Sequence, residues 1–242
     1  IGSFRAMAGC GSIGTATAPL QLRGCPSDIN FGYDGSQTLA GRIHIDYGSA
    51  VAAAIVVHAG SQASTDAASG LYATRIKSAN ASSTLSVLGG DVDVAMNTPG
   101  ETATFATISA TKGPGSSINP RVRISSGATL TTFNSSGGGE HIVRCALTTL
   151  QNDGGTVRTE GSGAITTMNC TAGTITPNST GTVTNMTAEG SGSIDMLRSR
   201  AARTVTTPTI KNGGTISADS AYVTFTNKLA FTGRLRITAA AA

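Results

Sequence analysis

Asp91 and Asp93, two positions apart on one face of an alternating apolar run, are the first residues in this 242-residue chain whose type and spacing invite chemistry. Glu101, Glu140, Asp153, Glu160, Glu189, Asp195 and Asp219 follow them along the chain. Polysaccharide cleavage needs two carboxyls roughly 5–10 Å apart across a groove, normally beside aromatic sugar platforms. The chain has no Trp, four Tyr and six Phe. Asp91 and Asp93 stand beside Gly89-Gly90, where they are expected to point outward and solubilise an edge. Glu160 and Glu189 do not occupy equivalent positions in the repeat described below, so no acidic ladder forms. No catalytic residue is assigned.

Other motifs carry less. Gly9-Cys-Gly11-Ser-Ile-Gly14 matches GxGxxG, with Asp34 twenty positions after Gly14. A dinucleotide site needs a strand before it and a helix after it. Thr15 to Pro19 is poor helix, and 31 glycines make a chance match unsurprising. His44 lies on the polar face of an alternating strand, His58 ends an apolar strand, and His141 follows the Gly137–Gly139 turn. All three read as surface or turn histidines rather than members of a triad. Cys10, Cys25, Cys145 and Cys170 form no CxxC pair and stand far from the histidines, so no metal site and no cofactor is expected. Cys10 and Cys25 are close enough in sequence to bridge, but small buried or loop cysteines are the reading preferred here.

Composition narrows the class. Charged residues make up 12% of the chain, about half the usual fraction, and mean hydropathy is +0.06. Such a chain has apolar material to bury and is not disordered through charge repulsion. The net charge of +4 is scattered, with one modest cluster at Arg198, Arg200 and Arg203, and no aromatic residues interleave it, so nucleic acid is not an expected partner. The longest apolar run, from Ala50 to Val57, is strand-sized and far short of a membrane span. No basic, signal-like leader is present, and Ile1 fits a start left by processing.

The elements that must position these residues emerge from aligning the second half on itself. Leu130, Leu147, Ile165, Val183 and Val205 each open a Val/Ile/Leu-Thr-Thr-like segment. Gly followed by Thr or Ser and a β-branched residue recurs between them, at Val157, Ile175, Ile194 and Ile216. Leu147 to Ile165 and Ile165 to Val183 each span 18 positions, and the step to Val205 stretches to 22 around Arg198–Arg203. A period near 18 with two strand signals per period describes the coil of a β-solenoid, whose rungs stack equivalent residues about 4.8 Å apart. A β-sandwich also spaces its strands 8 to 12 residues apart, but does not repeat one side-chain type at one phase over five units. Helix is disfavoured by Gly, Thr, Ser and Asn throughout.

The expected fold is therefore all-β, a single-stranded β-solenoid (parallel β-helix) with about 18-residue coils in the C-terminal half. Leu130, Leu147, Ile165, Val183, Val205 and Val223 should form one inward ladder. Phe133, Leu150, Met168, Met186 and Pro208 should form a second, and Val157, Ile175, Ile194 and Ile216 a third. Thr131, Thr148, Thr166, Thr184 and Thr206 would stack outside, an arrangement that can also order water on ice-binding solenoids. Upstream, Ile43, Ile45 and Tyr47, then Ile76, Leu85, Val87, Val92 and Val94, keep the strand pattern in wider coils. Ser61 to Ser69 should project as a loop and Gly89-Gly90 should turn. Residues 1–40 are Gly-rich and aperiodic, and read as an irregular N-terminal cap or attachment arm. The solenoid is expected over 41–228, with a last strand and tail over 229–242.

Gly154 to Ser217, with Ala-Ile-Thr-Thr-Met-Asn, Gly-Thr-Val-Thr-Asn-Met and Arg-Ala-Ala-Arg-Thr-Val-Thr, resembles β-helical, tail-spike-like head decoration or fibre proteins of tailed bacteriophages. The likeness covers roughly residues 75–237 and is architectural. It implies a non-enzymatic virion protein, a capsid decoration protein projecting as a homotrimer from the virion surface. The N-terminal arm would then meet the major capsid protein or another virion protein. Unlike enzymatic tail spikes, the chain offers no carboxylate constellation or aromatic cleft. A spike or fibre that binds or cleaves host polysaccharide is the alternative expectation, and a secreted β-helical adhesin the third.

Overall fold

The computed structural model describes residues 3–6, 13–14, 18–21, 28–31, 43–49, 52–58, 74–95, 101–114, 116, 118–232 and 234–238. Cys10, Cys25, the Gly9–Ser12 part of the glycine motif and the Ser61–Ser69 loop lie outside them. Among the described residues the chain is all-β with no helix, its parallel strands stacked as a β-solenoid of about 21 residues per turn. It divides into two compact units, Ile1–Leu130 and Thr131–Ala242.

The first unit contains β1 (Ser3–Ala6), β2 (Leu20–Gln21), β3 (Asp28–Phe31), β4 (Ile43–Asp46), β5 (Ala54–His58), β6 (Thr74–Lys77), β7 (Thr84–Val94), β8 (Ala103–Thr111) and β9 (Pro120–Ile124). Ile45, Ile76, Val94 and Ile124 stack in parallel register, each at most 3% exposed. Ile55, Leu85 and Ile108 form a second inward column. Each such side chain contributes about 1.5–3 kcal/mol through burial. Strand β7 serves both columns because it bends. Its first half pairs with β5 and β8, and its second half with β6 and β9. Gly89-Gly90, expected as a turn, is this bend inside a strand. A Cβ on Gly89 would lie 2.5 Å from the ring of His58. The irregular arm expected over 1–40 is corrected for its described residues: β1 pairs with β3, β3 with β5, and β2 with β4, all parallel. Alternating Phe4 and Ala6 were too short a signal to stand out from the glycine-rich sequence around them.

Strand β10 (Ala128–Ser136) crosses the unit boundary. The second unit continues with β11 (Glu140–Val143), β12 (Leu147–Thr159), β13 (Ile165–Pro177), β14 (Val183–Glu189), β15 (Ser193–Asp195), β16 (Arg203–Lys211), β17 (Thr215–Asp219), β18 (Val223–Phe225), β19 (Ala230–Phe231) and β20 (Arg234–Thr238). Leu147, Ile165, Val183 and Val205 stack in register, as do Leu150, Met168, Met186 and Pro208. Val157, Ile175, Ile194 and Ile216 form a third column, each 0% exposed. Leu130 and Phe133 are also buried, at 4% and 0% exposure. The ladder placement of Val223 is corrected. It sits opposite Arg203, and Val205 sits opposite Phe225, 20 positions on rather than 18. An inward-facing Arg203 opens this rung two residues before Val205, a role its charge concealed.

Tight corners need glycine at particular points. Gly173 has φ +74°, and a Cβ there would fall 2.2 Å from the carbonyl oxygen of Gly155, the corner residue one coil before. The rungs meet backbone to backbone, with no room for a side chain.

Candidate functional site

In the first unit, alternation on β7 turns Val92 and Val94 inward and Asp91 and Asp93 outward, as expected, but neither carboxylate reaches solvent: both are 0% exposed. On the next rung Arg121 lies opposite Asp91 and Arg123 opposite Asp93. Each pair is bidentate. Arg123 Nε and Nη2 donate to the two Asp93 oxygens at 2.6 Å, and Arg121 Nε donates to Asp91 Oδ1 at 2.6 Å while its Nη2 holds Oδ2. Arg75, only 3% exposed, flanks Asp93 from the other side in register, and His44 flanks Arg75. The two aspartates are locked into forks rather than solubilising an edge, which corrects that expectation. Burial pushes the Asp91 carboxyl above its ordinary range, and the Arg121 hydrogen bond pulls against it without cancelling it. Two positions along, Lys77 Nζ contacts Glu101 at 3.1 Å and Asp46 at 3.7 Å.

The histidines differ from expectation. His141 is not a turn residue: it points inward at 0% exposure, opposite Val157, and so heads the third ladder. Its ring meets Phe133 edge-on at 5.5 Å, and burial lowers its pKa to about 4. His58 is 3% exposed, with Nε2 at 2.9 Å from Ser116 Oγ. Cys145 and Cys170 are unbridged and buried, and burial pushes the Cys145 thiol up to about 11, away from reactivity. No group of three or more His, Cys, Asp or Glu that could hold a metal occurs among the described residues.

The second unit carries an open groove of about 380 Å³. Its floor is two outward columns of one sheet. Glu140, Thr156 and Thr174 lie in one, and Arg158, Thr176 and Asp195 in the other. Asn178 and Arg198 complete the lining. Arg198 arrives on the excursion that stretches the period to 22. Arg203, 4% exposed, ties that excursion down: its guanidinium donates to Pro177 O, Ser199 Oγ and Ala201 O. Arg158 Nη2 pairs with Glu160 at 2.8 Å, and Glu160 is held in turn by Arg144 Nε at 2.8 Å. Arg158 Nε and Asn178 Oδ1, atoms of two lining residues, are themselves shut off from solvent and have no hydrogen-bond partner among the described residues.

Glu140 and Asp195 are the carboxylates of this groove, and they do not form a cleavage pair. Asp195 belongs to the rung of Ser193, three rungs from Glu140. At ~4.8 Å per rung they stand about 14 Å apart along the stack, beyond the roughly 5–10 Å of a glycosidase pair. Sequence reasoning placed Asp195 among the acids and Arg198 in the basic cluster, but missed Arg158 and Asn178, whose relation runs across coils. On another face Thr148, Thr166 and Thr184 are exposed, and Thr149, Thr167, Asn185 and Thr207 stack in register beside them. Leu147 and Leu150 both point inward, so the chain bends between these two columns and splays them apart. A smaller hollow of about 180 Å³ is lined by Gln151, Asn169, Thr187 and the Glu189–Lys211 rung, among others. No protein-family profile, curated protein or solved structure matches the chain.

Proposed function

We propose that this protein is a non-enzymatic structural component of a virion, a capsid-surface decoration protein acting as a homotrimer. The observation that carries the reading is the third ladder. Val157, Ile175, Ile194 and Ile216 lie in unbroken parallel register at 0% exposure. Stacking of this kind pairs the backbone from rung to rung and gives a stiff, protease-resistant body from small residues. The charged residues add support, since Asp91 and Asp93 are consumed in structural forks. A polysaccharide-cleaving spike is the weaker reading, because the groove carboxylates stand too far apart to act together.

Residues 1–40 are the proposed contact with the major capsid protein or a neighbouring subunit. Deleting them is a poor test, because β1 and β3 belong to the stack. The better experiment labels the intact protein with antibody and images the particles of the virus that encodes it. Labelling across the capsid surface, with trimer mass in sedimentation, is the expected result. Recovery only with the tail tip, or only as secreted protein, would overturn the proposal.

A further inference from the structure

We propose that Asn212-Gly213 is a site of spontaneous self-modification, where the chain converts its own asparagine amide into a carboxylate. The inference stands independently of the virion assignment. The pair forms the corner between β16 and β17. Gly214 N donates to Lys211 O at 2.9 Å across it, and Asn212 and Gly213 have φ of +47° and +90°. Positive φ at both central positions fits a type I′ turn, which prefers Asn-Gly. The turn thereby selects the dipeptide most ready to cyclise, because Gly213 has no Cβ to screen its backbone nitrogen from the side chain before it. Asn212-Gly213 is the one Asn-Gly pair of the sequence.

The corner leaves the reacting groups open. Asn212 and Gly213 are both exposed, and Gly213 N, the attacking atom, donates to no acceptor among the described residues. In the first step Gly213 N gives its proton to solvent base and bonds to Asn212 Cγ. The Cγ–Nδ2 bond breaks, the nitrogen leaves as ammonia, and a cyclic imide remains. Water then adds to one of the two ring carbonyls. Opening at Cγ leaves aspartate, and opening at the backbone carbonyl leaves isoaspartate. On either route water enters, ammonia leaves and nothing is oxidised or reduced. The product matters because of Glu189, one coil earlier. Asn212 Nδ2 now donates to Glu189 Oε1 at 2.8 Å. After conversion a second carboxylate faces Glu189 in place of that donor, and like charges so placed are destabilising. Lys211 stands opposite Glu189 in the rung, so the repulsion is tempered rather than removed.

The test incubates the intact, folded protein at mildly alkaline pH in water enriched in heavy oxygen, then digests it and sequences the peptides by mass spectrometry. Asn212 should take up the label, as aspartate and isoaspartate together, about tenfold faster than any other asparagine of the described residues. Asn212→Gly removes the reacting amide and keeps the turn, since Gly190 with φ +60° holds the same place one coil earlier. That variant should stay unlabelled at the corner. Asn212→Asp reproduces the aspartate product. Its urea midpoint should fall below that of the parent, and the difference between Asn and Asp at this position should vanish when Glu189→Gln is also present. Label at Asn212 no faster than at Asn227, or only after unfolding in urea, would overturn the site. An Asn212→Asp midpoint equal to the parent's would overturn its coupling to Glu189.

Discussion

The guanidinium of Arg203 donates to the carbonyl oxygen of Pro177, 26 positions earlier in the chain. Arginine here points into the core and spends its donors on Pro177, Ser199 and Ala201 oxygens. One buried side chain thereby closes the excursion that carries Arg198 to the groove. Burial pulls the Arg203 pKa below its ordinary value, which still leaves arginine charged at neutral pH.

Replacing Arg203 by Met should therefore do two things. Stability should fall by about 2–4 kcal/mol, because oxygens that lose their donor stay buried. The excursion should also loosen. Arg198 and Arg200 are exposed, so trypsin should cut there faster in the variant than in the parent protein. Urea titration measures the first effect and timed digestion the second. A variant as stable and as resistant as the parent would show that Arg203 ties nothing down.

The ladders of the second unit were legible because Leu147, Ile165 and Val183 repeat one side-chain class at a constant step, which makes the period visible without structure. The first unit resists the same treatment for a physical reason. Ile45, Ile76, Val94 and Ile124 stack directly, yet their steps are 31, 18 and 30 positions. Excursions of different length leave the rung intact and erase its period. Arg203 shows the other limit. A charged residue at an inward position breaks the apolar code, so a step of 18 from Val205 points to Val223, whereas the residue opposite Val205 is Phe225. The groove was the least legible part, since Arg158 and Asn178 converge only through rung pairing and the turn that follows it.

Asp93 and Arg123 offer a second test. Their fork is fully desolvated on the acid side and mostly covered on the other, with side-chain exposures of 0% and 15%. Asp93→Ala should cost about 3–5 kcal/mol, because Arg123 and the neighbouring buried Arg75 would lose the carboxylate between them. The double variant Asp93→Ala/Arg123→Ala should cost less than the sum of the single changes, with a coupling of about 1 kcal/mol or more. Urea unfolding of the four proteins measures the cycle, and additive losses would rule out a working pair.

Two glycines with similar backbone angles separate conformational strain from steric contact. Gly161 has φ +77° and Gly173 has φ +74°. A Cβ on Gly161 would meet Arg144 O at 3.3 Å, whereas one on Gly173 would meet Gly155 O at 2.2 Å. Gly161→Ala should cost about 1–2 kcal/mol, the penalty of a left-handed residue with a Cβ. Gly173→Ala must in addition push adjacent coils apart, and should cost clearly more or yield no folded protein. Equal midpoints for the two variants in urea would contradict the close rung contact.

His141 makes the solenoid sensitive to mild acid. Its ring is buried against Phe133, and its pKa falls from 6.5 to about 4. Between those values the unfolded chain takes up a proton that the native imidazole refuses, so acid favours unfolding. Stability from this residue is complete above about pH 6.5 and declines towards pH 4, at up to about 1.4 kcal/mol per pH unit. Asp91 acts in the opposite direction. Its raised pKa means the native state binds its proton more readily, so this group adds stability as the pH falls. Urea midpoints of the parent and of His141→Leu, taken from pH 7.5 to pH 4, isolate the histidine by difference. The gap between the two proteins should shift steadily in favour of the leucine variant as the pH drops. A constant gap across that range would mean that the ring is solvated in the native state and that His141 does not head the inward ladder.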